Sequence, residues 1–257
     1  MSTNAADLAY QARQYAMSLQ AAGVDWLPAN STIDATRSEQ SHQELSVELS
    51  TEVTDVSRPE ALEPGDLEQR RVSLQVMDQK EVQNCVRCPD LVRNRTRTVF
   101  GVGNLGAELV FVGEAPGADE DKAGEPFVGA AGQLLNKIIV ACKLSREEVY
   151  ICNVIKCRPP QNRQPLADEI MHCKGYLFRQ LEIIQPRFIC CLGLVAAQTV
   201  LNTNITIGKL RKQIHPLGAS KVVATYHPAY LLRNPNAKKD VWEDMKMLMQ
   251  AMGRPVL

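Results

Sequence analysis

The sequence predicts an α/β protein with three layers, in which helices cover both faces of a central, mostly parallel sheet of four strands. Two observations predict it. Four short apolar runs, 108–112, 149–154, 187–192 and 221–225, have the length and composition of strands buried on both faces. Segments with helical spacing separate them, and strand–helix alternation is the pattern of a parallel sheet. No stretch reaches the ~20 consecutive apolar residues that a bilayer span requires.

The chain opens on residues 4–22, where Ala, Leu and Met recur at helical spacing and Gly23 offers a stop. This start holds Asp7 and Arg13 and no apolar block followed by a small-residue cleavage site, so it does not read as a signal peptide. The expected compartment is the cytoplasm, where cysteines stay reduced or bind metals. Residues 27–63 are rich in Ser, Thr, Glu and Asp without a sustained period, the composition of a flexible acidic linker. Residues 66–84 read as a further helix. The division predicted is a leader over 1–82 and a folded body over 83–257. The leader carries 6 Lys and Arg against 14 Asp and Glu, net −8, and the body carries 23 against 15, net +8. A basic body suggests contact with nucleic acid.

Within the body, helices are predicted over 132–142, 166–184, 194–201 and 237–252, each following or preceding one of the four strands. In such sheets ligands bind at the carboxyl ends of the strands. The distinctive residues cluster there, at Gly113–Gly117, Asn153–Cys157 and His227–Arg233. Two glycine motifs carry no phosphate chemistry. The run Gly101-Val-Gly-Asn-Leu-Gly106 matches G-x-G-x-x-G but precedes a strand, whereas a dinucleotide fingerprint follows one. Gly208-Lys209 lacks the upstream glycine of a Walker loop.

Eight cysteines fall into two groups. Cys142, Cys152, Cys190 and Cys191 sit in apolar surroundings and read as small buried hydrophobes. Cys85 and Cys88 form a C-x-x-C in polar surroundings, and Cys157 and Cys173 also have polar neighbours. Four such thiolates suit a [4Fe–4S] cluster or one tetrahedral zinc, and spacing alone leaves both open.

Three segments carry a resemblance. They are Gly113-Glu-Ala-Pro-Gly117, continuing through Asp119-Glu-Asp121 to Gly124-Glu-Pro-Phe-Val-Gly129; Tyr150-Ile-Cys-Asn-Val-Ile-Lys-Cys-Arg-Pro-Pro160 with Asn162-Arg163; and Tyr226-His-Pro-Ala-Tyr-Leu-Leu-Arg233. In this order, from about Cys85 to Met252, the chain resembles the family 4 uracil-DNA glycosylases, which carry a four-cysteine [4Fe–4S] cluster. The resemblance implies the glycosylase fold, hydrolysis of the N-glycosidic bond of deoxyuridine in DNA as the first step of base excision repair, and Cys85, Cys88, Cys157 and Cys173 as cluster ligands. A related group traps uracil covalently through a His-containing loop. Here Cys157-Arg-Pro-Pro-Gln-Asn162 holds no His, so turnover is expected.

The resemblance also implies roles. Phe127 is expected to stack on the flipped base. Asn153 is expected to read it, because an amide donates to uracil O4 and accepts from N3–H, and cytosine reverses both groups. His227 is expected to hydrogen-bond uracil O2 as negative charge develops, with the protonation state open. Glu114 is expected to position water or support the cationic sugar, with Asn162, and Ala115 to lie beside it in the substrate pocket. Glu120 is expected to exclude the methyl group of thymine. Arg163, Arg211, Lys212 and Arg233 are candidates for phosphate contact, as are Arg93, Arg95, Arg97, Arg158, Lys238 and Lys239. Leu231 or Leu232 is the candidate wedge that fills the gap left by the base. The expected partner is uracil-containing DNA. A monomer is expected, with no membrane, and residues 1–80 offer a tether to another replication or repair protein.

Overall fold

The structure, a computed structural model, describes residues 64–255. The helix read over 4–22 and the acidic stretch 27–63 lie outside the described residues. In chain order the elements are α1 (Pro64–Met77, ending in a wider π turn, Asp78–Val82), α2 (Pro89–Asn94), β1 (Val102–Gly103), β2 (Leu109–Gly113), α3 (Ala118–Ala123), α4 (Ala130–Ala141), β3 (Tyr150–Asn153), α5 (Ala167–Ile184), β4 (Phe188–Leu192), α6 (Leu194–Leu201), α7 (Ile207–Leu210), β5 (Ile214–Leu217), β6 (Ser220–Thr225), α8 (Pro228–Arg233) and α9 (Lys238–Ala251). The four predicted strands and four predicted body helices all form. The helix read over 66–84 forms as α1 and its π turn, and Leu74, Met77 and Val82 pack in the same core as the sheet.

The sheet order is β1-β3-β2-β4-β6-β5. The central four strands pair in parallel, and β1 and β5 add to the two edges antiparallel. Six strands therefore replace the four expected. Neither edge strand has the apolar run that reveals a central one. β1 has two residues, and β5 holds Pro216 and has no buried position, the composition of an edge. The G-x-G-x-x-G segment is spent on β1 and on a turn in which the Gly106 N–H donates to Asn104 Oδ1 at 2.8 Å.

Side chains alternate across the pleat. Val110, Val112, Cys152, Cys191 and Val222 join one core, covered by α1, α5 and α6. Leu109, Phe111, Ile151, Cys190 and Val223 join the other, covered by α4 and α9. Fully buried strands leave no polar face, which is why the sequence shows runs and not alternation. The chain leaves β2 for β3 on one side, then returns across it to β4 on the other. This reversal of direction opens a crevice at the carboxyl ends of the strands.

Candidate active site

A cavity of about 490 Å³ occupies that crevice. It is lined by Glu114 at the end of β2, Asn153 at the end of β3, and His227 after β6. Phe127 comes to it from a loop, Asn162 from the short 3-10 turn Pro160–Asn162, and Arg233 from the end of α8. Ala115, Glu120, Arg163 and Leu232 also line it. The sheet thus brings together residues separated by more than a hundred positions, as the sequence predicts.

Asn153 is 1 % exposed, and its Oδ1 has no hydrogen-bond partner. A buried polar atom without a partner costs about 1–3 kcal/mol, so its persistence in a cavity marks a ligand position. The approach here is close: a Cβ on Gly113 would lie 2.3 Å from Asn153 Oδ1 and 2.6 Å from Phe127 Cζ. The Phe127 and His227 rings face one another with centroids 5.5 Å apart.

His227 Nδ1 accepts a hydrogen bond from the Ala229 N–H at 3.1 Å, capping α8. An acceptor nitrogen carries no proton, so the proton of the neutral ring sits on Nε2. Burial, then the Arg233 charge, lowers the His227 pKa from 6.5 to about 4, against an opposing pull from Glu120. The ring is therefore a neutral donor at pH 7. Burial raises the Glu114 carboxyl above its ordinary value, which makes its carboxylate a stronger base.

Phe127 has φ +55°, a left-handed conformation that costs a bulky residue about 1–3 kcal/mol and persists only where its surroundings enforce it. A Cβ on Gly132 would lie 1.9 Å from Phe127 O, so the first turn of α4 admits no side chain beneath it. Glu120 lines the cavity, but its carboxylate is engaged by backbone. Oε1 accepts from the Val128 and Gly129 N–H groups at 3.0 and 2.9 Å, and Oε2 from the Gly117 N–H at 3.1 Å.

Two expected DNA contacts are corrected. Arg211 is 5 % exposed. Its Nε donates to Asp244 Oδ2 at 2.7 Å, and its guanidinium lies 4.1 Å from the Tyr226 ring centroid. Burying a carboxylate in the core requires such a cation, so Arg211 is committed to Asp244 and not to phosphate. Leu231 is 1 % exposed in the core beneath α8, whereas Leu232 is 49 % exposed and lines the cavity, so only Leu232 is free to act as a wedge. Arg163 grips Glu169 through two hydrogen bonds of 2.9 and 2.6 Å while still lining the cavity. Lys212, Arg233, Lys238 and Lys239 are exposed, as are Arg93 and Arg97. Arg158 donates to Asn162 Oδ1 at 2.8 Å, and Arg95 donates to Cys157 Sγ at 3.0 Å.

Cys85, Cys88, Cys157 and Cys173 line one small cavity on the α2 and α5 side, while Cys142, Cys152, Cys190 and Cys191 are buried apart from it. The Lys156 N–H donates to Cys173 Sγ at 3.3 Å. Among the described residues no three Cys, His, Asp or Glu side chains converge tightly on a single ion point. Four thiols around one space, two of them receiving N–H donors, are a donor set suited to an iron–sulfur cluster.

Sequence reasoning missed two residues. Lys156 is fully buried, and its Nζ donates to Asn153 O at 2.8 Å and to Gln180 Oε1 at 2.5 Å, fixing the strand end that carries Asn153. A lysine between Ile155 and Cys157 at the end of an apolar run was the available signal. Arg146 is the other. It donates to Pro126 O and Phe127 O beside the cavity, and it stands in a charged loop, where an arginine draws no notice.

A fold of this topology with an unpartnered amide, a neutral imidazole and a carboxylate around one cavity defines the class. Residues 100–246 match the model of the uracil DNA glycosylase superfamily. The chain is 45 % identical over 183 residues to the type-4 uracil-DNA glycosylase of Archaeoglobus fulgidus, covering 68 % of this chain and 92 % of the relative. It is 45 % identical over 180 residues to that of Thermotoga maritima and 42 % over 180 residues to that of Sulfurisphaera tokodaii, covering 93 % and 81 % of those proteins. This chain belongs to the type-4 uracil-DNA glycosylases. Among the described residues no helix is long and apolar enough to cross a membrane.

Proposed function

We propose that this DNA glycosylase flips deoxyuridine out of DNA into the cavity at the carboxyl ends of β2, β3 and β6 and hydrolyses its N-glycosidic bond, releasing uracil and starting base excision repair. The observation that carries the reading is Asn153, whose buried Oδ1 lacks a partner at the floor of the cavity. Uracil N3–H supplies that partner, and the amide N–H₂ donates to O4. Cytosine presents an acceptor at N3 and a donor at position 4, so both contacts fail.

Flipping costs a few kcal/mol of lost stacking. Phe127 returns about 1–3 kcal/mol by stacking on the base, and Leu232 fills the vacated space. As the C1′–N1 bond breaks, its electron pair passes to the uracil ring and O2, and the sugar becomes cationic. Neutral His227 Nε2–H donates to O2, and the Glu114 carboxylate, together with Asn162, stabilises the sugar and accepts the proton of the attacking water. Glu120 excludes the thymine methyl from the wall it lines. Arg163, Lys212 and Arg233 contact phosphates.

The thiols of Cys85, Cys88, Cys157 and Cys173 would hold a [4Fe–4S] cluster. When bound, it supplies a structural cross-link between the C-x-x-C segment, the loop after β3 and the helix α5. The support is the shared cavity and the N–H donors to Cys157 and Cys173.

The test is base release from matched oligonucleotides containing uracil, thymine, cytosine or hypoxanthine. Release of uracil alone, lost in Glu114→Ala or His227→Ala, upholds the reading. Release from hypoxanthine changes the specificity, and no release by protein with a full iron complement overturns it.

A further inference from the structure

The two peptide units beside Phe127 are tied by opposite charges from different parts of the chain. Arg146, in the connection between α4 and β3, donates from Nη2 to Pro126 O at 2.5 Å and from Nη1 to Phe127 O at 3.3 Å. The same Nη1 donates to Asn136 Oδ1 at 2.9 Å, anchoring the guanidinium to α4. On the other side, the Glu120 carboxylate receives the Val128 and Gly129 N–H groups. A cation therefore holds the carbonyls before and at the left-handed residue, and an anion holds the amides after it. Charge-assisted bonds are about twice as strong as neutral ones, which suits them to enforcing a strained conformation.

Arg146 does not line the cavity. Its contacts to Pro126 and Phe127 act only on the segment that carries the ring facing His227. The first turn of α4 is closed against the Phe127 carbonyl, so the segment has no room to move toward α4.

We infer that Arg146 is a positioning residue of the uracil site, which with Glu120 locks Phe127 in its left-handed conformation and so sets the ring against the flipped base. This rests on the reading of Phe127 as the stacking residue.

The experiment is a double-mutant cycle on the full chain with its cluster, using Phe127→Leu, Arg146→Met and the pair. The readouts are the single-turnover rate of uracil release at saturating enzyme, the Kd for uracil-free duplex, the iron content and the Tm. Phe127→Leu alone lowers the rate by about 5- to 150-fold, the worth of one base–aromatic stack. Arg146→Met lowers it comparably, leaves the Kd for uracil-free DNA unchanged, and adds nothing once Phe127 is Leu. Arg146→Lys restores part of the rate, and it serves in the cycle if Arg146→Met loses iron or melts early. Multiplicative losses in the pair, or full activity of the Arg146 variant, overturn the inference while leaving the stacking role standing. An unchanged rate in Phe127→Leu overturns the stacking role, and the inference with it.

Discussion

His227 offers the most direct test of the chemistry. Its pKa falls from 6.5 to about 4 because burial and Arg233 disfavour the imidazolium. That difference corresponds to about 3 kcal/mol against charging the ring in the folded protein. Between pH 4 and 6.5 the unfolded chain binds a proton that the native protein refuses. Stability is therefore full above pH 6.5, falls as pH drops toward 4, and loses no more from this group below that. The chain has four histidines, so nitrogen NMR on histidine-labelled protein resolves them, and His227→Gln assigns the signal. The expected result is a ring that keeps its proton on Nε2 and stays neutral down to about pH 4. In urea unfolding, the parent loses about 2–3 kcal/mol more than His227→Gln between pH 7.5 and 4.5. The single-turnover rate shows no inflection from His227 between pH 6 and 8. A midpoint near 6.5 refutes the neutral ring and makes an imidazolium available as a general acid, whereas a proton on Nδ1 removes the Nε2 donor and refutes the reading without making the residue an acid.

Three further predictions concern other parts of the site. Asn153→Asp lowers uracil release by at least about tenfold, because a carboxylate faces O4 without a donor, and gains relative activity on cytosine; unchanged uracil kinetics would remove Asn153 from base reading. Arg233→Gln reduces the slope of log Kd against log salt by about 1. Arg211→Gln leaves that slope alone but destabilises the fold by about 3–5 kcal/mol, because it strands buried Asp244; salt titration and urea unfolding separate the two. Cys85→Ser lowers iron content and Tm more than it lowers the excision rate of the fraction that keeps its cluster, and a full Tm with lost activity counts against a structural cluster.

How much was legible in the sequence depended on what each residue's signal was made of. The central strands are buried on both faces, so their apolar runs announce them. β1 and β5 have no apolar run, so nothing in Val102–Gly103 or in a segment holding Pro216 reads as a strand, although Pro216 suits the edge position that β5 takes. The place of the site was legible because motifs at the carboxyl ends of the strands meet in a sheet of this topology, whereas the roles expected of its residues came from the resemblance. Leu231 and Leu232 were not separable, since only the rotation of α8 decides which faces the core. Arg211 read as a surface cation because its partner, Asp244, lies 33 positions away and a single sequence shows no such pairing.

The features that break local rules are the ones that build this site. A bulky ring in a left-handed conformation, an amide buried without a partner, a lysine with no exposure and a histidine held neutral are each unfavourable alone. Phe127, Asn153 and His227 line the crevice where the sheet reverses direction, with Lys156 behind them, and each is held by a different neighbour: Phe127 by Arg146 and Glu120, Asn153 by Lys156, Lys156 by Gln180, and His227 by the first turn of α8. Rigid elements supply the cost of holding them, because β2, β3 and β6 lie inside the sheet and their ends are fixed to a neighbour, Gly113 to Asn153 and Thr225 to Leu192. On the proposed reading, the flipped base meets groups already in position, and the energy of stacking and hydrogen bonding goes to offsetting the unstacking of DNA, not to ordering the pocket.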